Sequence, residues 1–378
     1  MSPMTRALLL LFLLCPVSPL LAAPPPAPPK VEASGYLLMD YHSGAVLAEN
    51  NGEKRLEPAS LTKIMTAYVV FRELEEGNIN LQDQVLVSKK AWKTPGSRMF
   101  IEVGKKVSVD DLIRGMIVVS GNDACVALAE HIAGSEESFV SLMNKHALRL
   151  GMTNTHFVNS TGLPDPDHYT TPGDILKVAR ALIREFPQYY SIYSQREFTF
   201  NKITQKNRNR LLWRDPSVDG VKTGHTKSAG YCLVASARRE GMRLLSVVMG
   251  TKSEEARAEE SQKLLNYGFR FYQTHRLFGA GEPLKEVRVW KGDREQLELG
   301  PAEALHVTIP RGDYGKLKLR TRIEPRITAP VKQGEELGRL LVELEGEVLA
   351  EVPLVALQEV GEGGLVHNLV DSVLQLFE

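Results

Sequence analysis

The 378-residue sequence predicts a mixed α/β (α+β) domain, followed by a small all-β sandwich and a C-terminal amphipathic helix. Three observations carry this. From Val31 to about Leu284, helical and strand patterns alternate. From Lys285 to Val360 the pattern shifts to short alternating runs separated by Gly and Pro turns, the mark of short antiparallel strands. From Gly363 onward, Leu365, Val366, Leu369, Val370, Val373, Leu374 and Phe377 recur at helical spacing and form one apolar face. The expected units are therefore 31–284, 285–360 and 361–378.

In the first unit, Gly35–Met39 and Ala45–Ala48 read as strands about the turn Asp40–Gly44. A helix is expected from Pro58 to Glu76, since Pro suits a first turn, Leu61, Ile64, Met65 and Tyr68 keep helical spacing, and Gly77 can end it. A second helix follows Ser120–Asp123, and Tyr231–Ala237 with Arg243–Met249 reads as a hairpin closed around Arg239–Gly241. In the second unit, Val287–Trp290, Gln296–Leu299, Leu305–Ile309 and Lys316–Arg322 read as strands, with others reaching Val355.

Met1–Ala23 has an early Arg6, an apolar run Ala7–Leu14 and small residues Ala22 and Ala23, the layout of a signal peptide. Pro16 and Pro19 break that run, which is too short to span a bilayer. Residues 24–30 form a Pro-rich leash. The 46 basic and 46 acidic side chains leave no net charge to attract a polyanion, so nucleic acid is not an expected partner. After export only Cys125 and Cys232 would remain, and both read as buried thiols. His156 and His168 are too isolated to suggest a metal site, and no cofactor is implied.

Three short motifs carry the chemistry: Ser60-Leu61-Thr62-Lys63, Ser120-Gly121-Asn122 and Lys222-Thr223-Gly224. Each alone is weak, but the ordered set is specific. Ser60, in the first turn of its expected helix, is a candidate nucleophile, and Lys63 at i+3 shares its face as the candidate base. Such a lysine must be neutralised by burial or a nearby cation, and Lys222 can supply the cation. Ser120 can relay a proton to the leaving amine or, alternatively, cap the following helix. Asn122 offers a donor and an acceptor to a peptide bond. Lys222, Thr223 and Gly224 are expected on a strand edge that pairs with an extended substrate, where Gly224 keeps the approach clear. The N–H groups of Ser60 and His225 are candidate oxyanion donors.

The segments around these motifs, Pro58–Thr66, Val119–Ala124 and Asp219–Thr226, resemble those of the low-molecular-mass penicillin-binding proteins. More narrowly, the chain resembles the D-alanyl-D-alanine carboxypeptidases with an appended β-domain and a C-terminal anchor, over nearly the whole mature chain. The resemblance implies a β-lactamase/transpeptidase-like catalytic domain and an acyl-enzyme on Ser60, with Lys63 as base and Ser120 and Asn122 in the second element. It places Lys222, Thr223, Gly224, His225 and Thr226 along the pocket. Asn207-Arg208-Asn209 resembles the segment whose arginine helps to hold the substrate's terminal carboxylate. The implied partners are peptidoglycan stem peptides ending in D-Ala-D-Ala, β-lactams that acylate the same serine, and a membrane surface. The implied location is the periplasmic face of the cytoplasmic membrane. One departure is that the C-terminal helix has no Lys or Arg, where family anchors usually carry basic residues.

A class A β-lactamase would need a deacylating Glu before the third motif, and His156–Asp174 has Asp165 and Asp167 but no Glu. A DD-endopeptidase could use the same site. A non-catalytic sensor of wall fragments has no need of the full set of turnover residues present here.

Overall fold

The structure is a computed structural model and describes residues 25–374. The expected signal peptide, and the end of the C-terminal helix from residue 375, lie outside the described residues. Strands β1 (Gly35–Asp40) and β2 (Val46–Asn50) open the fold. Helices α1 (Lys63–Glu75), α2 (Val109–Val118), α3 (Asn122–Ala133), α4 (Glu136–Arg149) and α5 (Pro172–Glu185) follow, with short turns and hairpins between them. Then come β3 (Val218–Thr226), β4 (Gly230–Arg239), β5 (Met242–Thr251) and helix α6 (Glu254–Phe271).

The five strands form one antiparallel sheet in the order β2-β1-β5-β4-β3. Both faces are buried, as the alternation of side chains requires. Leu37, Val234 and Val247 join the core under α1–α5, while their neighbours Leu38, Leu233 and Val248 join a second core under α6. The β4–β5 hairpin closes through Glu240 and Gly241, both at positive φ (48° and 84°), the two-residue geometry that matches strand twist. Its left-handed second position is why a glycine stands at 241.

The chain commits to the second domain early. Strand β6 (Tyr272–Phe278), ahead of the expected boundary at 284, pairs with β9 (Leu305–Pro310). The other strands, β7 (Lys285–Trp290), β8 (Gln296–Pro301), β10 (Leu317–Ile323), β11 (Ile327–Thr328), β12 (Glu336–Leu344) and β13 (Glu347–Ala356), form a sheet in the order β10-β12-β13-β8-β7-β11. Val289, Leu299, Val307, Leu340 and Leu354 meet in the core of this domain.

A polar seam fastens the domains. The Asp40 carboxylate, fully buried, accepts hydrogen bonds from Ser43 N at 2.7 Å and Thr274 Oγ1 at 2.6 Å. Thr308 Oγ1 lies 2.7 Å from Ser43 Oγ, and the rings of His42 and His306 stack at 4.8 Å. Helix α7 (Leu365–Leu374) ends the described chain.

Candidate active site

The sequence predicts an α-helix from Pro58, but the α-helix begins at Lys63 and Ser60 lies in a 3-10 turn, Ala59–Thr62. Two glycines press on this turn. A Cβ on Gly162 would fall 1.8 Å from Ala59 O, and one on Gly224 would fall 3.1 Å from Pro58 O and 3.2 Å from Ser60 N. The expected role of Gly224 is thus extended: it clears space for the nucleophile's own turn. Ala59 takes a left-handed φ of 46°, a strain of roughly 1–3 kcal/mol that the packed surroundings must hold. Such strain is commonly stored beside reacting groups.

In a 3-10 turn, side chains three apart eclipse, so Lys63 stands directly over Ser60, Nζ to Oγ 2.9 Å. The Lys63 Nζ also donates to Asn122 Oδ1 at 2.7 Å and to the Thr161 carbonyl at 2.6 Å. Lys63 is 1% exposed. Burial lowers its pKa, and the charge of Arg208 lowers it further, against Cys125 and Asp123. Arg208 is thus a cation acting on Lys63 that the sequence did not single out for this role, beside Lys222, whose charge interaction with Lys63 is mutual. Lys222 is itself pushed well below the usual lysine range, first by burial and then by Lys63. The neighbouring Cys125 is buried and unpaired, its thiol pushed up to about 12 by burial.

Ser120 follows the apolar end of α2 at a φ of 63°. Its hydroxyl does not cap α3, whose N-cap is Gly121. Instead Ser120 Oγ accepts from Lys222 Nζ at 2.9 Å. Asn122 turns its Nδ2 to Pro95 O at 2.6 Å. The fully buried Asp123 carboxylate takes the N–H groups of Met99, Phe100 and Ile101 at 3.0, 2.9 and 3.3 Å. These bonds hold Gly96 and Ser97 at the cavity rim.

Lys222, Thr223, Gly224, His225 and Thr226 lie on β3, the edge strand of the sheet. Lys222 is buried, while the exposed His225 stacks on Tyr231 at 3.9 Å. Thr226 Oγ1 accepts from Ala229 N at 2.9 Å, and Arg208 stands exposed at the rim. A cavity of about 430 Å³ is lined by Ser60, Ser120, Asn122, Thr223, Gly224, His225, Thr226 and Arg208. Lys63 and Lys222 reach these hydroxyls from the buried side.

Two contributors were not picked out from the sequence. Arg257 on α6 lines the cavity at 3% exposure and donates from Nη1 to Gly224 O at 3.2 Å. Its setting, Glu254-Glu255-Ala256-Arg257, reads as a solvated helix face and gives no signal. Thr161 contributes through a backbone carbonyl, which side-chain patterns do not reveal. Asp165 and Asp167 are exposed and do not line the cavity, so the 156–174 loop offers Lys63 a carbonyl rather than a carboxylate.

Residues 22–253 match the family model described as D-alanyl-D-alanine carboxypeptidase, and residues 272–362 match that of the penicillin-binding protein 5 C-terminal domain. The chain is 48% identical over 357 residues to D-alanyl-D-alanine carboxypeptidase DacC of Escherichia coli (strain K12), covering 92% of this chain and 89% of the relative. It is 39% identical over 344 residues to DacF of Bacillus subtilis (strain 168), covering 89% and 88%. The crystal structure of penicillin binding protein 5 from Haemophilus influenzae superposes with a TM-score of 0.86 at 44% identity, covering 89% of this chain and 99% of that one. The Streptomyces K15 DD-transpeptidase gives 0.61 at 32% identity, covering 65% and 99%. With these matches across both domains, the chain belongs to the D-alanyl-D-alanine carboxypeptidase family, the low-molecular-mass penicillin-binding proteins of the serine peptidase type.

Proposed function

We propose that this protein removes the terminal D-alanine from peptidoglycan stem peptides through an acyl-enzyme on Ser60, and that β-lactams acylate the same serine. The observation that carries the reading is the set of three oxygens around Lys63 Nζ: Ser60 Oγ, Asn122 Oδ1 and Thr161 O. A neutral amine has two N–H bonds and one lone pair. The two carbonyl oxygens only accept, so they take the N–H bonds, and the lone pair is left for the Ser60 hydroxyl. Burial favours this neutral form.

Lys63 then takes the Ser60 proton as Oγ attacks the carbonyl carbon of the penultimate D-Ala. The oxyanion faces the N–H groups of Ser60 and His225. Ser120, held by Lys222, passes its proton to the leaving nitrogen as the C–N bond breaks to release D-alanine, and takes in its place the proton that Lys63 received from Ser60, which returns Lys63 to its neutral form. Water then attacks the ester carbon while the neutral Lys63 takes its proton, the bond from Ser60 Oγ to the acyl carbon breaks, and Lys63 gives that proton to Ser60 Oγ. The substrate's backbone pairs along β3, with Asn122 meeting a peptide bond. Its terminal carboxylate suits the donors Thr223, Thr226, Arg208 and the buried Arg257 at the cavity.

Helix α7 supports a peripheral membrane location on the periplasmic side. Leu365, Leu369 and Val370 are 90%, 71% and 51% exposed. Asp371 is buried against the β-domain, where Lys291 N and Arg288 Nη2 donate to it at 2.5 and 3.3 Å. No described helix is long and apolar enough to cross a membrane.

The deciding experiment is release of free D-alanine from a peptide ending in D-Ala-D-Ala by the purified protein. Release is expected from the wild type and none from Ser60→Ala. Wild-type protein that acylates with penicillin yet releases no D-alanine would count against the substrate.

A further inference from the structure

The carbonyl of Thr161 orients Lys63, yet it belongs to a loop with no regular secondary structure around it. Residues 156–170 close at their base through the backbone bridge of His156 and Tyr169, with N–H···O distances of 2.9 and 3.1 Å. Inside the loop, Asn159 Oδ1 gathers the N–H groups of Thr161, Gly162 and Leu163 at 3.1, 2.7 and 3.2 Å. These bonds shape the loop but do not fix it against the nucleophile. Besides the Lys63–Thr161 bond itself and the backbone bridge of Leu56 and Thr170 at the loop's end, two side-chain bonds cross to the segment that carries Ser60 and Lys63. Thr66 Oγ1 donates to Ser160 O at 2.7 Å, and Thr62 Oγ1 lies 2.8 Å from His168 Nε2.

The second bond has a defined direction. Val158 N–H donates to His168 Nδ1 at 3.1 Å, and a backbone N–H can only donate, so Nδ1 carries no proton in the neutral ring. The proton is on Nε2 and is given to Thr62 Oγ1. His168 is 2% exposed and packs edge-on to Phe157 at 5.7 Å. Burial, with His156 and Lys63 and against Asp165, pulls its pKa down to about 4, so the neutral form holds at neutral pH.

We infer that His168 is a positioning residue for the base: by donating to Thr62 it pins the 156–170 loop to the nucleophile's turn and so sets the Thr161 carbonyl on Lys63. It touches no reacting atom. Its loss lets the carbonyl drift, Lys63 loses one of its two fixed acceptors, and the lone pair no longer points steadily at Ser60. Misplacement by about 1 Å can cost on the order of 10²-fold in rate.

This inference rests on Lys63 being the base. Release of D-alanine by wild type tests that reading, whereas the acylation rates of the variants relative to wild type test the pin. His168→Ala and Thr62→Val should each slow acylation by a fluorescent penicillin by about tenfold or more, and lower kcat on the peptide with little change in KM. His168→Gln, whose amide N–H reaches toward Thr62, should recover much of the loss. The double variant Thr62→Val/His168→Ala should be no slower than the slower single variant, as expected for two ends of one bond. Independent, additive losses, a rise in KM alone, or an unchanged rate in Thr62→Val would each overturn the inference. Thr62→Val removes a single hydroxyl, so it decides the matter if His168→Ala folds poorly.

Discussion

Lys222 Nζ donates to Ser120 Oγ at 2.9 Å, so one buried lysine holds the second-motif hydroxyl while the other, Lys63, faces Ser60. With an N–H donor already on its oxygen, Ser120 is free to turn its own proton toward a leaving nitrogen. Ser120→Ala should lower kcat by roughly 10²–10⁴-fold, the range for a lost proton relay. Lys63→Ala should nearly abolish labelling by fluorescent penicillin. A Lys63→Ala variant that labels at the wild-type rate would remove Lys63 from the mechanism.

The buried Arg257 and the rim Arg208 both line the cavity, and they suit a terminal carboxylate. A substrate amidated at its C-terminus should be turned over at least about 10²-fold more slowly, because charged donors are left without their acceptor. Arg257→Ala should shrink the difference between acid and amide. Equal rates for the two substrates in wild-type protein would favour an endopeptidase site.

His168 gives the fold a pH dependence. Its pKa falls from 6.5 to about 4 on folding, so between those values the unfolded chain binds the extra proton. Stability is therefore full above about pH 6.5 and declines as pH falls toward 4. At about 1.4 kcal/mol per unit the loss is on the order of 3 kcal/mol. Denaturant unfolding at pH 7 and pH 4.5 should show the drop, and His168→Gln should reduce it. An equal drop in that variant would assign the effect to other groups.

Removing residues 361–378 should move the protein from the membrane to the soluble fraction with turnover of small peptides intact. Because the helix has no Lys or Arg, detergent rather than high salt should release the full chain. An intact protein that is already soluble and dimeric would show that α7 covers its apolar face with a second copy.

The sheet and the three motif positions were legible because they depend on local signals: alternation, turn glycines and short fixed spacings. The 3-10 turn at Ser60 was not, because Gly162 and Gly224 press on it from far along the chain. Arg257 hides among Glu254 and Glu255 on what looks like a solvated face, and Thr161 acts through its backbone. The early turn into the second domain was missed for a similar reason. β6 does not pair with β7, its neighbour in sequence, and its partner begins only at Leu305.

That pairing bears on how the gene can be trimmed. A fragment cut at residue 284 would keep β6 but lose β9, leaving a bare strand edge with Thr274 and Asp40 beside a missing Thr308. Unpaired edges recruit other strands, so such a fragment would be prone to aggregate even though every motif residue is present. A cut just after α6 removes the sticky strand but withdraws Thr274 from the buried Asp40 carboxylate. Of the two, the shorter end is the cleaner, because Asp40 keeps its bonds from Ser43 and its carboxylate, uncovered by the loss of Thr274, is returned to water.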